Sequence, residues 1–297
     1  MTAGRADAGA AAAPRLRKDI NDVTFVGLPP WSEGPKPEFA AIVDALRAAG
    51  IEAVQSRAPE RFLEAGFAAT GLARVMSVGE SDAVAQRGAD LGLDFTTVHL
   101  GDGLESLAEG ERLVGDMLEA AARRGHALHL ETHRGTITQD MRRTLDLATR
   151  FPQVRFTADL SHWYTGLEMT FGDFAGKLDR LAPVFERVRS IHGRIGNPGC
   201  IQVGMSVETN REAIGHFREM WRRCCQGFLL GARPGDVLPF AAELLPHDIT
   251  IGGRTITINY ARLVRGDDGD FREESDRWTD AEALWRIAQT AFAAAAD

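Results

Sequence analysis

The sequence contains little cysteine and no long apolar run. It has three cysteines in 297 residues, and two of them, Cys224 and Cys225, are adjacent. Three cysteines give no even disulfide framework, and no secretory segment is recognisable, so we expect a reducing, cytoplasmic location. No apolar run approaches the roughly 20 residues that are needed to span a bilayer, which excludes a transmembrane class.

Concentrated positive charge is also missing. Thirty-four Lys and Arg residues against 42 Asp and Glu residues leave a net charge of −8, and no stretch is rich in lysine or arginine. Proteins that bind duplex nucleic acid usually concentrate positive charge to displace the phosphate counterions. We therefore expect a small-molecule substrate as the partner, and neither nucleic acid nor a membrane.

Several signatures of other enzyme classes are absent. The sequence has no Gly-x-Ser-x-Gly elbow and no phosphate-binding P-loop. The turn that follows the first predicted strand, Gly27–Trp31, reads GLPPW, which is no dinucleotide-binding fingerprint. These absences disfavour a serine hydrolase of the α/β type and a nucleotide-dependent enzyme.

Short β-prone runs alternate with helical patterns along most of the chain. The predicted strands are Val23–Gly27, Ile51–Gln55, Arg74–Val78, Phe95–Leu100, Ala127–Thr132, Val154–Leu160, Ser190–Ile195 and Leu238–Leu244, and the predicted helices are 37–49, 58–70, 81–92, 105–125, 137–151, 172–188, 209–230 and 279–296. Strict alternation predicts parallel strands joined by crossover helices. Eight such units predict a single (β/α)₈ TIM barrel over residues 21–297, after a flexible N-terminal tail of residues 1–20. A doubly wound open sheet is the alternative.

Four ionisable side chains lie at the ends of four consecutive predicted strands. They are Glu131, Asp159, His192 and Glu243. Each follows an apolar run that a barrel buries on both faces, where a carboxylate is costly unless it is paired, hydrogen-bonded or bound to metal. One such carboxylate can instead serve a local turn, as Ser161 allows for Asp159. Four on adjacent strands predict one divalent cation, Mn²⁺, Co²⁺ or Mg²⁺ before Zn²⁺.

Further polar and aromatic residues are expected around these four. His162 follows Asp159 by three residues, and Arg194 shares the inward parity of His192. A guanidinium supplies forked donors for anions or hydroxyl groups, and aromatic rings at a barrel mouth can stack on sugars. The candidate substrate-binding residues are His99, His133, Arg134, His162, Arg194, Trp31 and Trp163.

The segments ETHRGT, ADLSHW, IHGRIGNPG and ELLP, in this order, resemble the metal and substrate set of the xylose isomerase-like barrels of AP endonuclease family 2. The specific part of the resemblance covers residues 131–247. It implies a metal-dependent isomerase or epimerase of keto sugars or sugar phosphates, with Glu131 and Glu243 as acid and base. In such enzymes the divalent cation stabilises the enediolate that forms when a proton leaves the carbon beside a carbonyl. Barrels of this type often form homodimers.

The sequence also departs from the ketose epimerase pattern after Glu131. His133 stands where ketose epimerases tend to have asparagine, and their further glutamate is missing. An extra imidazole would also suit a lyase or dehydratase that acts on an oxidised sugar, a 3-keto glycoside or a keto-inositol with the same metal site. An abasic-site endonuclease of the same superfamily would need a trinuclear zinc cluster with more histidines at strand ends, together with a basic groove. A non-catalytic barrel would be expected to lack one of the metal-binding residues.

Overall fold

A computed structural model describes residues 12–251 and 253–297 and contains a closed barrel of eight parallel strands. Its strands are β1 (Arg15–Asn21), β2 (Ala53–Ser56), β3 (Ala68–Val75), β4 (Thr96–Leu100), β5 (Leu128–Glu131), β6 (Phe156–Ala158), β7 (Val188–Gly193) and β8 (Val237–Ala242). Each strand pairs with the next, and β1 also pairs with β8 over Arg15–Ile20. The structure confirms the predicted TIM barrel, and the β1–β8 pairing excludes an open sheet.

Helices connect the strands and cover the outside of the barrel. They are α1 (Phe39–Ala48), α2 (Glu60–Glu64), α3 (Glu80–Leu91), α4 (Leu107–Arg124), α5 (Met141–Arg150), α6 (Ser161–Gly166), α7 (Phe174–Arg180), α8 (Ala182–Phe185), α9 (Arg211–Leu229) and α10 (Arg277–Ala296). Their apolar faces form the core, in which side chains such as Leu46, Val98 and Trp221 are fully buried. Among the described residues, no helix combines the length and the apolar character that crossing a membrane requires.

The first strand lies earlier in the chain than predicted. Residues 23–25 belong to a 3₁₀ turn, and the strand is Arg15–Asn21, so the assignment of residues 15–20 to a flexible tail was wrong. The strand is highly charged, but the buried guanidinium of Arg17 donates to Asp19 Oδ1 at 2.7 Å and Oδ2 at 2.8 Å. This internal pairing allows charged side chains to face the barrel interior. Residues 1–11 of the predicted tail lie outside the described residues.

Two further differences concern β3 and the segment after β8. The predicted helix 58–70 ends at Glu64, and β3 begins at Ala68 rather than Arg74. The segment between Glu243 and α10 contains two small antiparallel hairpins, β9 (Asp248–Ile251) with β10 (Arg254–Thr257), and β11 (Leu263–Arg265) with β12 (Phe271–Glu273). We call residues 245–276 the β8 insertion. It follows β8 at the C-terminal end of the barrel strands, which is the end where TIM barrels have their active sites.

Candidate metal centre

The structure brings the four predicted metal-binding side chains together. Glu131 ends β5, His192 is the penultimate residue of β7, and Asp159 and Glu243 directly follow β6 and β8. One ligand atom from each residue lies within 4.8 Å of the other three, and all four residues are buried. They converge because β5 to β8 are neighbours in the barrel and end at the same rim. We call these four residues the metal cluster.

Opposite charges surround the carboxylates of the metal cluster. His99 Nε2 lies 2.7 Å from Glu131 Oε2. His192 Nδ1 lies 3.2 Å from Glu243 Oε2 and 3.4 Å from Glu131 Oε1. Arg194 Nη2 pairs with Asp159 Oδ2 and lies 3.3 Å from Glu243 Oε2. The guanidinium therefore balances part of the negative charge.

These contacts shift the pKa values of the cluster. Burial would raise the pKa of Glu131, but His99 and His192 outweigh it and hold that pKa well below its ordinary value. Burial would likewise raise the pKa of Asp159, but Arg194 and His162 hold it far below the usual range. Burial would lower the pKa of His192, yet Glu243 and Glu131 raise it well above 6.5. These surroundings thus favour the ionised carboxylates of Glu131 and Asp159 and the protonated imidazole of His192, whose proton a bound cation would replace.

Unpaired buried atoms show that the cluster fits a cation. His192 Nε2 is buried without a hydrogen-bond partner among the described residues, and Glu131 Oε1 and His192 Nδ1 make the charge contacts given above but no hydrogen bond. Buried polar atoms normally have a partner, and one without it is costly. Three carboxylates and one imidazole are ligands that Mn²⁺, Co²⁺ and Mg²⁺ accept. The residues present therefore fit a divalent cation.

A row of three imidazoles flanks the cluster. The ring centroid of His133 lies 4.1 Å from that of His99 and 3.9 Å from that of His162. Burial, followed by the charge of His162, lowers the pKa of His133 to about 2, so this imidazole is neutral at physiological pH. His99, Glu131 and His133 also form a second group with ligand atoms within 4.8 Å of one another. The other four histidines lie elsewhere: His126 beside Thr96, His129 on Phe95, His216 beside Tyr164 and His247 beside Ala261.

Asn21, which the sequence did not indicate, and Ser161, which it indicated as the turn partner of Asp159, hold the cluster in place. Asn21 Nδ2, at the end of β1, donates to Glu243 Oε1 at 2.9 Å and to Gln55 Oε1 at 2.8 Å. The Ser161 hydroxyl donates to Asp159 Oδ1 at 2.6 Å and accepts from Arg194 Nε at 3.0 Å. Asp159 therefore uses one oxygen for the local turn and directs the other toward Arg194. The inward parity of Asn21 would have indicated it, had β1 been placed correctly.

The predicted aromatic residues differ in their positions. Trp163 is fully buried, and its indole Nε1 donates to the Thr138 carbonyl oxygen at 2.8 Å. It lies within α6 and packs in the core, and its stacking on a substrate stays a prediction. Trp31 is exposed and lines a cavity of about 500 Å³ whose walls contain none of the cluster residues. Its role in substrate binding stays a prediction.

Arg134 and Arg194 meet at an aromatic ring that the sequence analysis missed. Tyr260, from the β8 insertion, has the guanidinium carbons of Arg134 and Arg194 at 5.0 and 4.9 Å from its ring centroid. These distances are within the range of cation–π interactions. No local pattern indicates Tyr260, because the contact joins segments far apart in the sequence.

Comparison with solved structures finds the same barrel fold in other proteins. A candidate xylose isomerase from Rhodospirillum rubrum is 15% identical, with 91% of this chain and 99% of that chain covered and a TM-score of 0.53. A probable 3-DHS dehydratase from Bacillus anthracis, involved in petrobactin synthesis, is 14% identical, with 78% and 94% covered and a TM-score of 0.51. No protein-family model and no curated protein matched the chain. At this identity the likeness shows the fold alone, and it confirms the fold that the sequence motifs implied.

Proposed function

We propose that this protein is a divalent-metal-dependent carbohydrate isomerase or epimerase that moves a proton beside a carbonyl group through an enediolate. The observation that carries the proposal is the metal cluster itself, three buried carboxylates and one imidazole whose ligand atoms lie within 4.8 Å of one another. A bound Mn²⁺, Co²⁺ or Mg²⁺ would supply Lewis-acid stabilisation of the negative charge that develops on the substrate oxygens. Glu131, Asp159, His192 and Glu243 are the residues that would hold it.

Two glutamates are the proposed proton carriers. Glu131 ends β5 and Glu243 directly follows β8, and two other strands separate β5 from β8, so the two carboxylates approach the cluster from different sides of the rim. If one glutamate removes a proton from the substrate and the other, in its protonated form, delivers one, the new C–H bond forms at a different face or at a different carbon of the substrate. Asn21 orients Glu243, and His99 orients Glu131, through the hydrogen bonds to their side chains.

Arginine and histidine side chains around the cluster would hold the substrate oxygens. Arg194 lies beside Asp159 and Glu243, and His162 Nε2 lies 3.2 Å from Arg194 Nη2. Both side chains are buried at the rim, next to the carboxylate of Asp159. Fixed donors of this kind position hydroxyl groups and exclude water from the reacting carbon.

The alternative is a lyase or dehydratase that acts on an oxidised sugar, and the imidazole row favours it. The ring of His133 lies between those of His99 and His162. Elimination needs an acid that protonates the leaving oxygen after the first proton is removed, and the row places two further imidazoles, His99 and His162, within the site for that task. Both reactions share the first step, so the product distinguishes them.

The experiment is deuterium incorporation from D₂O into candidate keto sugars by the manganese-loaded protein, followed by NMR and mass spectrometry. Exchange into a product with the mass of the substrate, apart from the deuterium, supports the isomerase or epimerase. Exchange accompanied by loss of water or of an aglycone supports the lyase. Absence of exchange across neutral, acidic and phosphorylated keto sugars would contradict both.

A further inference from the structure

A cavity of about 300 Å³ opens at the same end of the barrel as the metal cluster. Its walls come from Arg134 after β5, from residues 199–201 after β7, and from the β8 insertion between His247 and Leu263. All three segments follow the C-terminal ends of strands, which places the cavity on the face where barrel enzymes bind substrates. None of the four cluster residues lines it. We call this cavity the Arg134 pocket.

Tyr260 separates the Arg134 pocket from the metal cluster. The residue lines the pocket, and its ring centroid lies 4.9 Å from the guanidinium carbon of Arg194. Arg194 in turn pairs with Asp159 and lies 3.3 Å from Glu243 Oε2. The pocket and the cluster are therefore linked by two contacting side chains, Tyr260 and Arg194.

The loop that carries Tyr260 is held by hydrogen bonds. The backbone N–H groups of Ile258 and Asn259 donate to the His247 carbonyl oxygen at 2.8 and 3.1 Å. Asn259 has a φ of 55°, in the left-handed region that few residues other than glycine adopt, and it turns the chain immediately before Tyr260. The wall is therefore preformed, as is usual for small-molecule sites.

Arg134 gives the pocket a positive charge that no carboxylate balances. Arg262, in the same wall, pairs with Glu274 at 3.1 Å. Within the described part of the chain Arg134 makes no ion pair, and its guanidinium contacts the ring of Tyr260 instead. A guanidinium offers planar, forked donors that match the oxygens of a carboxylate or a phosphate. The pocket is thus complementary to an anion.

We infer that the Arg134 pocket binds an anionic group of the substrate, a carboxylate or a phosphate, while the carbonyl part of the same molecule lies at the metal cluster. This inference rests on the proposed function and narrows its substrate class to acidic or phosphorylated keto sugars. Neutral keto sugars would form no ion pair with Arg134, so they bind more weakly.

Cys200 provides a test that does not depend on catalysis. It lines the pocket and is partly exposed, whereas Cys224 and Cys225 are buried, and burial raises the pKa of Cys225 to about 12. Iodoacetamide should therefore label Cys200 selectively, and inorganic phosphate or malonate should slow the labelling in a saturable way. The readout is the labelling rate of the full-length protein, with the modified site located by mass spectrometry.

The variant Arg134→Gln is the test, and Arg211→Gln is its matched control. Arg211 begins α9 at the same end of the barrel, is exposed, and does not line the pocket. We expect Arg134→Gln to weaken the protection by either anion roughly tenfold or more, which corresponds to about 1.4 kcal/mol. Arg211→Gln should be protected as the wild type is. Equal protection of wild type and Arg134→Gln, or no protection by either anion, would overturn the inference.

Turnover gives the second test and identifies the anion. A keto sugar, its uronic acid and its phosphate ester are compared in the deuterium-exchange assay. In Arg134→Gln the preference for the charged substrate over the neutral one, measured as the ratio of kcat/KM values, should fall roughly tenfold or more. The charged substrate with the larger fall in this ratio, the acid or the ester, identifies the anionic group that the pocket binds. An unchanged ratio contradicts anion binding in the Arg134 pocket. Lack of exchange by every compound contradicts the proposed function, and the labelling experiment then decides whether the pocket binds an anion.

Discussion

Replacing Glu243 by glutamine changes one charge of the metal cluster with little change of shape. In the wild type, Glu243 Oε1 accepts from Asn21 Nδ2 at 2.9 Å, and Oε2 lies 3.2 Å from His192 Nδ1 and 3.3 Å from Arg194 Nη2. The glutamine side chain keeps an oxygen for Asn21. It lacks the negative charge that attracts a cation, and it cannot accept a proton from a carbon atom. The substitution therefore tests both roles that are proposed for Glu243.

The expected effects can be ordered by size. Loss of a general base lowers the rate of a proton transfer by roughly 10²- to 10⁴-fold. Loss of an anionic ligand should also weaken the binding of manganese, because the remaining carboxylates are Glu131 and Asp159 alone. Folding should be affected less, because Asn21 still donates a hydrogen bond to residue 243 and Arg194 still forms its ion pair with Asp159. We expect the free energy of unfolding to fall by about 1–3 kcal/mol.

The assay is deuterium exchange at a manganese concentration that saturates each variant, with thermal unfolding as the check on folding. Glu219→Gln is the control, since Glu219 lies on α9 and pairs with Arg222 and Arg223 at 2.7 and 2.9 Å, remote from the rim. The control should exchange deuterium as the wild type does. Exchange by folded, manganese-saturated Glu243→Gln at half the wild-type rate or more would refute the assignment of Glu243 as a proton carrier.

Three further substitutions test the surroundings of the site. Asn21→Ala removes the donor to Glu243 Oε1, and we expect manganese, followed by calorimetry, to bind roughly 10- to 100-fold more weakly. Gly193→Ala places a Cβ atom 2.5 Å from the ring of Phe240, and denaturant unfolding should show a loss of about 1–3 kcal/mol. Burial raises the pKa of Asp280 to about 6. The stability that the protonated Asp280 carboxyl gives the fold is therefore complete below pH 4 and is lost as the pH rises through 6. Asp280→Asn, which has no charge at any pH, should therefore unfold at a higher temperature than the wild type at pH 8, with a flatter pH profile between 4 and 7.

Each of these expectations has a definite contrary result. Wild-type manganese affinity in Asn21→Ala would show that the hydrogen bond does not orient Glu243. Unchanged stability of Gly193→Ala would show that Phe240 moves away without cost. A wild-type pH profile in Asp280→Asn would assign the titration between pH 4 and 7 to other groups.

The metal cluster was predictable because local patterns mark it. Each of the strands β5 to β8 is a short apolar run, and an ionisable residue stands at or just after its end. In a parallel barrel the ends of adjacent strands are neighbours, so sequence order alone places Glu131, Asp159, His192 and Glu243 at one rim. The number of strands followed from the same alternation.

The misplaced elements depend on contacts that no local pattern reveals. The β1 segment RLRKDIN has little apolar character, and it forms a strand because Arg17 and Asp19 neutralise each other inside the barrel. Trp163 follows a strand end, but α6 begins two residues earlier and directs the indole to the Thr138 carbonyl oxygen. Tyr260 meets Arg134 and Arg194 only through the β8 insertion. Contacts between residues far apart in the sequence decide the positions of Trp163 and Tyr260, and the Arg17–Asp19 pair is recognisable only once both side chains are known to face the barrel interior.

The most direct test of the central claim is the location of manganese by anomalous diffraction from crystals of the protein soaked in a manganese salt. We predict one strong peak among the side chains of Glu131, Asp159, His192 and Glu243, and its loss in Glu243→Gln at the same manganese concentration. A cluster without a peak at millimolar manganese, or manganese bound only elsewhere on the protein, would contradict the account.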